Sequence, residues 1–226
     1  MEKSDQKLYA LKQAAGGSDD NIYKGVVNIL TGIIDLNRKL TLADIGCGKG
    51  EFLSVVNKLY TNIKLLGCDL YDYSKSIPKE ASWYQMNLDE DNTDKIGQHD
   101  IVTAIEVIEH LENPRSFIKL YSQNIKPGGY LILTTPNIES ITSIFSFIFR
   151  GYHSAFGPKS YPAHITPIAA YDLNNMIKET EGLNLVSHYY IPNGRIPGLG
   201  LKWHKILPFL SGKRFSDNYI TIIKKS

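Results

Sequence analysis

Glu106, Glu109 and His110 fall within five residues of one another, in the run Asp100-Ile101-Val102-Thr103-Ala104-Ile105-Glu106-Val107-Ile108-Glu109-His110-Leu111-Glu112-Asn113-Pro114. If the segment carrying them makes a helical turn, positions i, i+3 and i+4 share one face. Two carboxylates and an imidazole would then converge on a divalent cation such as Mg²⁺ or Mn²⁺. The same groups could instead line a pocket, where the histidine orients a substrate or takes a proton as general base. A purely structural role is the third reading. A second constellation lies upstream, in Asp44-Ile45-Gly46-Cys47-Gly48-Lys49-Gly50. Glycines at 46, 48 and 50 let the backbone turn tightly and approach a ligand, because they lack a Cβ. The helix that follows would aim its unpaired N–H groups at that ligand. Asp69, followed by Leu70, ends another apolar run about twenty residues later, where an acidic side chain can accept hydrogen bonds from both ribose hydroxyls of an adenosine cofactor.

The elements that must position these residues alternate. Apolar runs at Leu42–Ile45, Ile63–Asp69, Ser82–Met86, Asp100–Ile105 and Tyr130–Thr134 read as strands, with helical patterns between them. Pro114 opens a helix, and Pro127-Gly128-Gly129 makes the turn into the fifth strand. Residues 20–38 have helical periodicity. Ile168–Glu181 reads as a further helix, and Leu183–Ile191 and Asn218–Ile223 as two last strands. Alternating strands and helices imply an α/β fold, a parallel sheet with helices on both faces. The third strand ends at Asn87-Leu88-Asp89, on the same edge as the glycine turn.

The glycine spacing is G-x-G-x-G, not the G-x-G-x-x-G of a dinucleotide fingerprint. With Asp44 two residues before the first glycine, it resembles motif I of the class I S-adenosylmethionine (SAM) methyltransferases. The K-P-G-G turn before the fifth strand is similar to theirs as well. The resemblance covers roughly residues 25–191. It implies a Rossmann-like seven-stranded sheet of order 3-2-1-4-5-7-6, with the last strand antiparallel. It also implies that Asp44, Gly46, Cys47, Gly48 and Gly50 hold the amino-acid part of SAM, and that Asp69 and Leu70 hold its ribose. Asn87 stands where an acidic residue usually meets the adenine amine, and its amide oxygen can still accept. Leu88 would pack on the ring, with Ile105 and Glu106 completing the cofactor set.

The E-x-x-E-H block and Thr135-Pro136-Asn137 resemble two branches of that class. One is the O-methyltransferases of polyprenyl-quinone biosynthesis, the other the 2′-O-methyltransferases of small-RNA 3′ ends. In both, the matching residues are associated with a divalent metal, and the RNA branch adds a later histidine. His164 is the candidate here, although its surroundings lack that branch's aromatic-rich pattern. The resemblance thus implies Glu106, Glu109, His110 and His164 as metal ligands. It implies His110, His164 and Glu109 as the catalytic groups, acting on an acceptor oxygen.

A chain of 226 residues, 42 % hydrophobic and 21 % charged, suffices for one α/β domain. A net charge of +2 gives no strong global field for nucleic acid. The chain has two cysteines and therefore no disulfide framework. The polar start lacks a signal-peptide core, and no run is long enough to span a membrane. A cytoplasmic enzyme is expected. Residues 1–18 are either mobile or close over bound SAM. Two inserts, 138–165 and 192–215, stand outside the motifs. The first is aromatic-rich and suits a lid over an apolar acceptor, a cover for the sheet, or a dimer surface. The second alternates basic residues with Trp and Leu over 195–214. It suits peripheral contact with a membrane, contact with a polyanion, or packing on the core. The methyl acceptor itself is not identified.

Overall fold

The computed structural model of this chain describes residues 20–90, 93–199, 201–207 and 209–226. The expectation for residues 1–18 lies outside them. In chain order come α1 (Asp20–Ile33), β1 (Leu40–Ile45), α2 (Glu51–Leu59), β2 (Ile63–Asp69), β3 (Ser82–Gln85), β4 (His99–Ile105), α3 (Pro114–Tyr121), β5 (Ile125–Pro136), α4 (Ile141–Arg150), α5 (Ala170–Lys178), β6 (Leu183–Tyr190), α6 (Trp203–Ile206) and β7 (Asn218–Lys225). The seven strands form one sheet of order β3-β2-β1-β4-β5-β7-β6. All neighbours are parallel except β7, which runs antiparallel to both β5 and β6. This is the order the motif resemblance implies.

The central strands are apolar on both faces because helices cover both. Ala43, Ile45, Leu131 and Leu133 point to one side, against Phe117, Ile118 and Tyr121 of α3 and Leu173 and Ile177 of α5. Leu40, Leu42 and Ile132 alternate to the other side, against Ile22, Val26 and Leu30 of α1 and Phe52, Leu53 and Val56 of α2. The period of two along each strand separates the two cores.

Capping sets where the helices begin. Asn113 Oδ1 accepts the Ser116 N–H at 3.0 Å, and Pro114 takes the first helical position of α3. Its missing N–H costs nothing there. Ser140 caps α4 through Ser143 N–H at 3.1 Å, and Gly151 ends that helix in the left-handed conformation. Helix α1 stops at Ile33, five residues short of the expected limit, and α5 occupies a shorter span than expected. Among the described residues no helix is long and apolar enough to cross a membrane.

Candidate active site

The turn after β1 places Gly46, Gly48 and Gly50 at φ of 72°, 52° and 74°. A Cβ on Gly46 would lie 2.6 Å from Val107 Cγ2, and one on Gly50 2.7 Å from Ile77 Cγ2. Space and dihedral angle both require glycine there. Asp69, at the end of β2, braces the turn. Its Oδ2 accepts the Gly48 N–H at 2.8 Å and its Oδ1 the Tyr71 N–H at 3.2 Å. Burial raises the Asp69 carboxyl, and these N–H donors oppose the rise.

Asp44 is buried at the end of β1. Burial lifts its pKa from the ordinary 3.8 to about 7. The Thr103 Oγ1–H, donating at 2.6 Å, opposes the lift, and the nearby Asp69 charge adds to it. A cavity of about 620 Å³ opens above these groups, a size that suits a cofactor together with part of a second substrate. Every expected cofactor residue lines it except Gly50, which instead forms the N-cap of α2. Asn87 is held by its own turn, with Oδ1 accepting the Asp89 N–H at 3.2 Å and Nδ2 donating to Glu90 at 2.9 Å.

The stretch after β4 departs from the single helical turn considered for it. Glu106 takes a left-handed φ of 55°, and a short 3₁₀ turn spans only Ile108–His110. The helical i, i+3 relation of Glu106 to Glu109 therefore fails, and its carboxylate is taken up by Thr134 and Asn218 instead. Thr134 Oγ1 accepts from the Glu106 N–H and donates to its Oε1, each at 2.9 Å. Asn218 Nδ2, from β7, donates to Oε2 at 2.8 Å. Glu106 thus lines the cavity but lies outside the candidate metal cluster, which corrects the four-ligand set to three.

Those three are Glu109, His110 and His164, whose donor atoms lie within 4.8 Å of one another. The segment 163–166 is clipped to the 108–111 turn, which brings His164 to the other two. The Ile165 and Thr166 N–H groups both donate to Glu109 O at 3.0 Å, and Thr166 Oγ1 donates to Leu111 O at 2.7 Å. His110 Nδ1 lies 2.9 Å from Ala163 O. A carbonyl only accepts, so Nδ1 carries hydrogen and the neutral ring presents Nε2 as its acceptor. The His110 and His164 rings meet edge-on at 4.8 Å, with Phe156 against the far side of His164 at 5.5 Å.

His110 and His164 line the cavity, while Glu109 lies behind them, fully buried. Glu109 Oε2 accepts from Thr135 Oγ1 at 3.1 Å. Glu109 Oε1 and His164 Nδ1 are buried with no hydrogen-bond partner among the described residues. Burial pushes both Glu109 and Glu106 upward, and the Glu109 charge adds to the rise at Glu106. Burial and the neighbouring His110 push His164 down to about 4, so that ring is neutral at pH 7.

Several residues that complete the site were not singled out in the sequence. Thr103, Thr134 and Asn218, beside Thr135 of the run noted above, hold the acidic groups, and Ile22 and Tyr23 of α1 close one wall. Asn218 lies 112 positions from Glu106, and no local pattern joins them. Lys159, Arg195 and Lys202 are further lining residues, Arg195 being paired with Asp217 at 2.6 Å. The aromatic part of the first insert, 141–156, does not line the cavity; only 159–164 of that insert does.

A family described as a methyltransferase domain matches residues 25–188. The ubiquinone biosynthesis O-methyltransferase of Rickettsia typhi is 30 % identical over 162 residues, covering 64 % of this chain and 63 % of its own length. The chain thus spans about three fifths of that relative. A SAM-dependent methyltransferase of Archaeoglobus fulgidus superposes with a TM-score of 0.64 at 17 % identity, over 96 % of this chain and 99 % of its own. The plantazolicin methyltransferase BpumL, solved with a monoazolic desmethylPZN analog and SAH, gives a TM-score of 0.62 at 13 % identity over 92 % of this chain and 86 % of its own. At such identities the two structural likenesses are likenesses of fold.

Proposed function

The chain belongs to the class I SAM-dependent methyltransferases, and from that premise we propose that it methylates an oxygen of a small-molecule, glycan or lipid-linked acceptor. One observation carries this reading: the glycine turn, Asp69 and two adjacent histidines line a single cavity. Asp44 receives the ammonium of the SAM amino-acid part, and Asp69 receives the ribose hydroxyls while still bracing Gly48. Asn87 accepts from the adenine amine, and Leu88 packs on the ring. The methyl group already sits on an electrophilic sulfonium. The protein's task is to hold a nucleophile in line with the S–CH₃ bond. A hydroxyl must lose its proton as it attacks, and acid–base groups beside the sulfonium serve an oxygen nucleophile better than an amine. The O-methyltransferase name of the relatives supports oxygen.

The donor set fits a divalent cation. Glu109 Oε1 and His164 Nδ1 are buried polar atoms without a hydrogen-bond partner among the described residues. A carboxylate with two imidazoles suits a borderline ion such as Mn²⁺ better than the harder Mg²⁺. Glu109, His110 and His164 would hold it, and bound there it would lower the pKa of the acceptor hydroxyl. His110 is oriented for this by Ala163 O, and the low pKa of His164 keeps its lone pair available.

Two measurements test the proposal. Mn²⁺ calorimetry with S-adenosylhomocysteine present gives micromolar binding that Glu109→Ala abolishes. Absent binding would reject the metal and leave His110 as a plain base. Methyl transfer from labelled SAM to a panel of catechols, polyprenyl phenols and sugars gives products whose label resides on oxygen. Transfer to nitrogen or carbon alone would reject the oxygen assignment.

A further inference from the structure

Lys159, Arg195 and Lys202 line the cavity from the two inserts, on none of the elements that carry the cofactor residues. Arg195 is already matched. Its Nε donates to Asp217 Oδ2 at 2.6 Å and its backbone N–H to Oδ1 at 3.4 Å. Lys159 and Lys202 form no ion pair and no side-chain hydrogen bond among the described residues. Two uncompensated ammonium groups therefore belong to the wall of the catalytic cavity.

Backbone bonds set both lysines in relation to the reacting groups. Beside Lys159, the Ser160 N–H donates to Gly157 O at 2.8 Å, and the Ala163 and His164 N–H groups both donate to Ser160 O at 2.9 Å. The turns that place Lys159 thus also place His164. Lys202 closes a hairpin in which the Ile196 N–H donates to Leu201 O at 2.7 Å and the Trp203 N–H to Gly194 O at 3.0 Å. The Arg195–Asp217 pair fastens that hairpin next to Asn218, the donor to Glu106. Arg195 positions the hairpin, and Lys202 is left for a ligand.

Charge decides what that ligand is. SAM enters with a net positive charge, its sulfonium adding to a zwitterionic amino-acid part. Two free ammonium groups on the same cavity repel it, and a divalent cation on Glu109, His110 and His164 adds to the repulsion. The acids that line the cavity are committed elsewhere. Asp44 and Asp69 serve the cofactor, Asp89 accepts the Glu112 N–H at 3.1 Å, and Glu106 is held by Thr134 and Asn218. A neutral acceptor leaves the repulsion standing. An anionic one offsets it, takes charge-assisted hydrogen bonds from the lysines, and is drawn in by the positive wall. We propose that Lys159 and Lys202 form an oxyanion subsite, and that the methyl acceptor carries a carboxylate or phosphate group besides the hydroxyl that is methylated. This rests on the O-methyl transfer proposed above and narrows its acceptor. Lysine, a point charge with three rotatable donors, suits either oxyanion.

Calorimetry on the full chain saturated with S-adenosylhomocysteine tests this with two matched pairs of probes. One is 3,4-dihydroxyphenylacetate against its amide, the other glucose 6-phosphate against glucose. In at least one pair the anionic member binds at least about tenfold more tightly than its neutral partner. The pair that responds separates carboxylate from phosphate. Lys159→Gln with Lys202→Gln removes the advantage, while affinity for S-adenosylhomocysteine stays at the wild-type value and shows that the variant is folded. Equal binding within both pairs, or no binding in either, overturns the proposal, as does an advantage that survives in the double variant. Weakened S-adenosylhomocysteine binding in the double variant also overturns it, because the lysines then meet the cofactor's own carboxylate. So does retardation of a short RNA that the double variant loses while neither pair is discriminated, which assigns the lysines to a polynucleotide backbone. The oxygen assignment stands or falls separately, on the atom that carries the label from SAM.

Discussion

Asp44→Asn sets the requirements of the cofactor against those of the fold. In the cofactor-free protein, burial carries Asp44 from 3.8 to about 7. An acid whose folded pKa is raised holds its proton more tightly when folded. Stability therefore falls as pH climbs from the unfolded value through the folded one. At pH 8 the full shift of roughly three units opposes the fold by on the order of 4 kcal/mol, at about 1.4 kcal/mol per unit. At pH 5 only the interval above the ordinary value counts, which leaves about 1–2 kcal/mol. Asparagine keeps the shape and still accepts from Thr103, but it carries no charge. Urea unfolding of the cofactor-free variant thus shows a gain of a few kcal/mol at pH 8 and a smaller gain at pH 5. The same change removes a carboxylate–ammonium hydrogen bond worth about 1.5–3 kcal/mol, so the Kd for S-adenosylhomocysteine at pH 8 rises roughly ten- to hundredfold. Wild-type affinity weakens as pH drops below about 7, because a proton competes with the ammonium, and the variant loses that dependence. A variant less stable than wild type at pH 8, or a gain equal at both pH values, would falsify the claim that burial governs this carboxyl.

Three further substitutions probe the supports of the site. Asn218→Ala takes away the donor to Glu106 Oε2 and lowers stability by about 1–3 kcal/mol; urea unfolding measures the loss, which an equal loss in a Glu106→Gln background would contradict. Gly50→Ala meets both a φ of 74° and a contact of 2.7 Å with Ile77. Its melting temperature falls, and its affinity for S-adenosylhomocysteine falls with it; unchanged values of both would show that the turn relaxes freely. Phe117→Ala opens a cavity beneath the sheet at a cost of about 3–5 kcal/mol, while calorimetry on the protein that remains folded shows cofactor affinity unchanged.

The sheet and the cofactor turn were legible because each rests on short-range pattern. Apolar runs of strand length, glycines where φ turns positive, and a proline at the start of α3 each declare themselves locally. The departure of Glu106 from Glu109 and His110 was not legible, because their expected convergence assumed helical dihedrals at a residue that is left-handed. What decides Glu106 is Thr134 on β5 and Asn218 on β7, partners supplied only by the sheet. His164 was found through its resemblance to a later histidine, yet its approach to His110 depends on backbone bonds from 165 and 166 that no spacing encodes. The aromatic insert left a lid, a sheet cover and a dimer surface equally open. Serines in the helix found the inward hydrogen bonds, and the rings turned out.

The bonds from Ile165 and Thr166 to Glu109 O, and from Thr166 Oγ1 to Leu111 O, have a bearing on ancestry. They fasten the backbone beside His164 directly to the 108–111 turn, so its register does not depend on the path of the chain between 138 and 154; Ala155 and Phe156 meet the ring itself. That stretch can lengthen, shorten or be exchanged for another while the two histidines stay in register. Descendants of one ancestral gene could therefore take up new acceptors, or new cellular surfaces, by rewriting this interval alone and inheriting the chemistry intact.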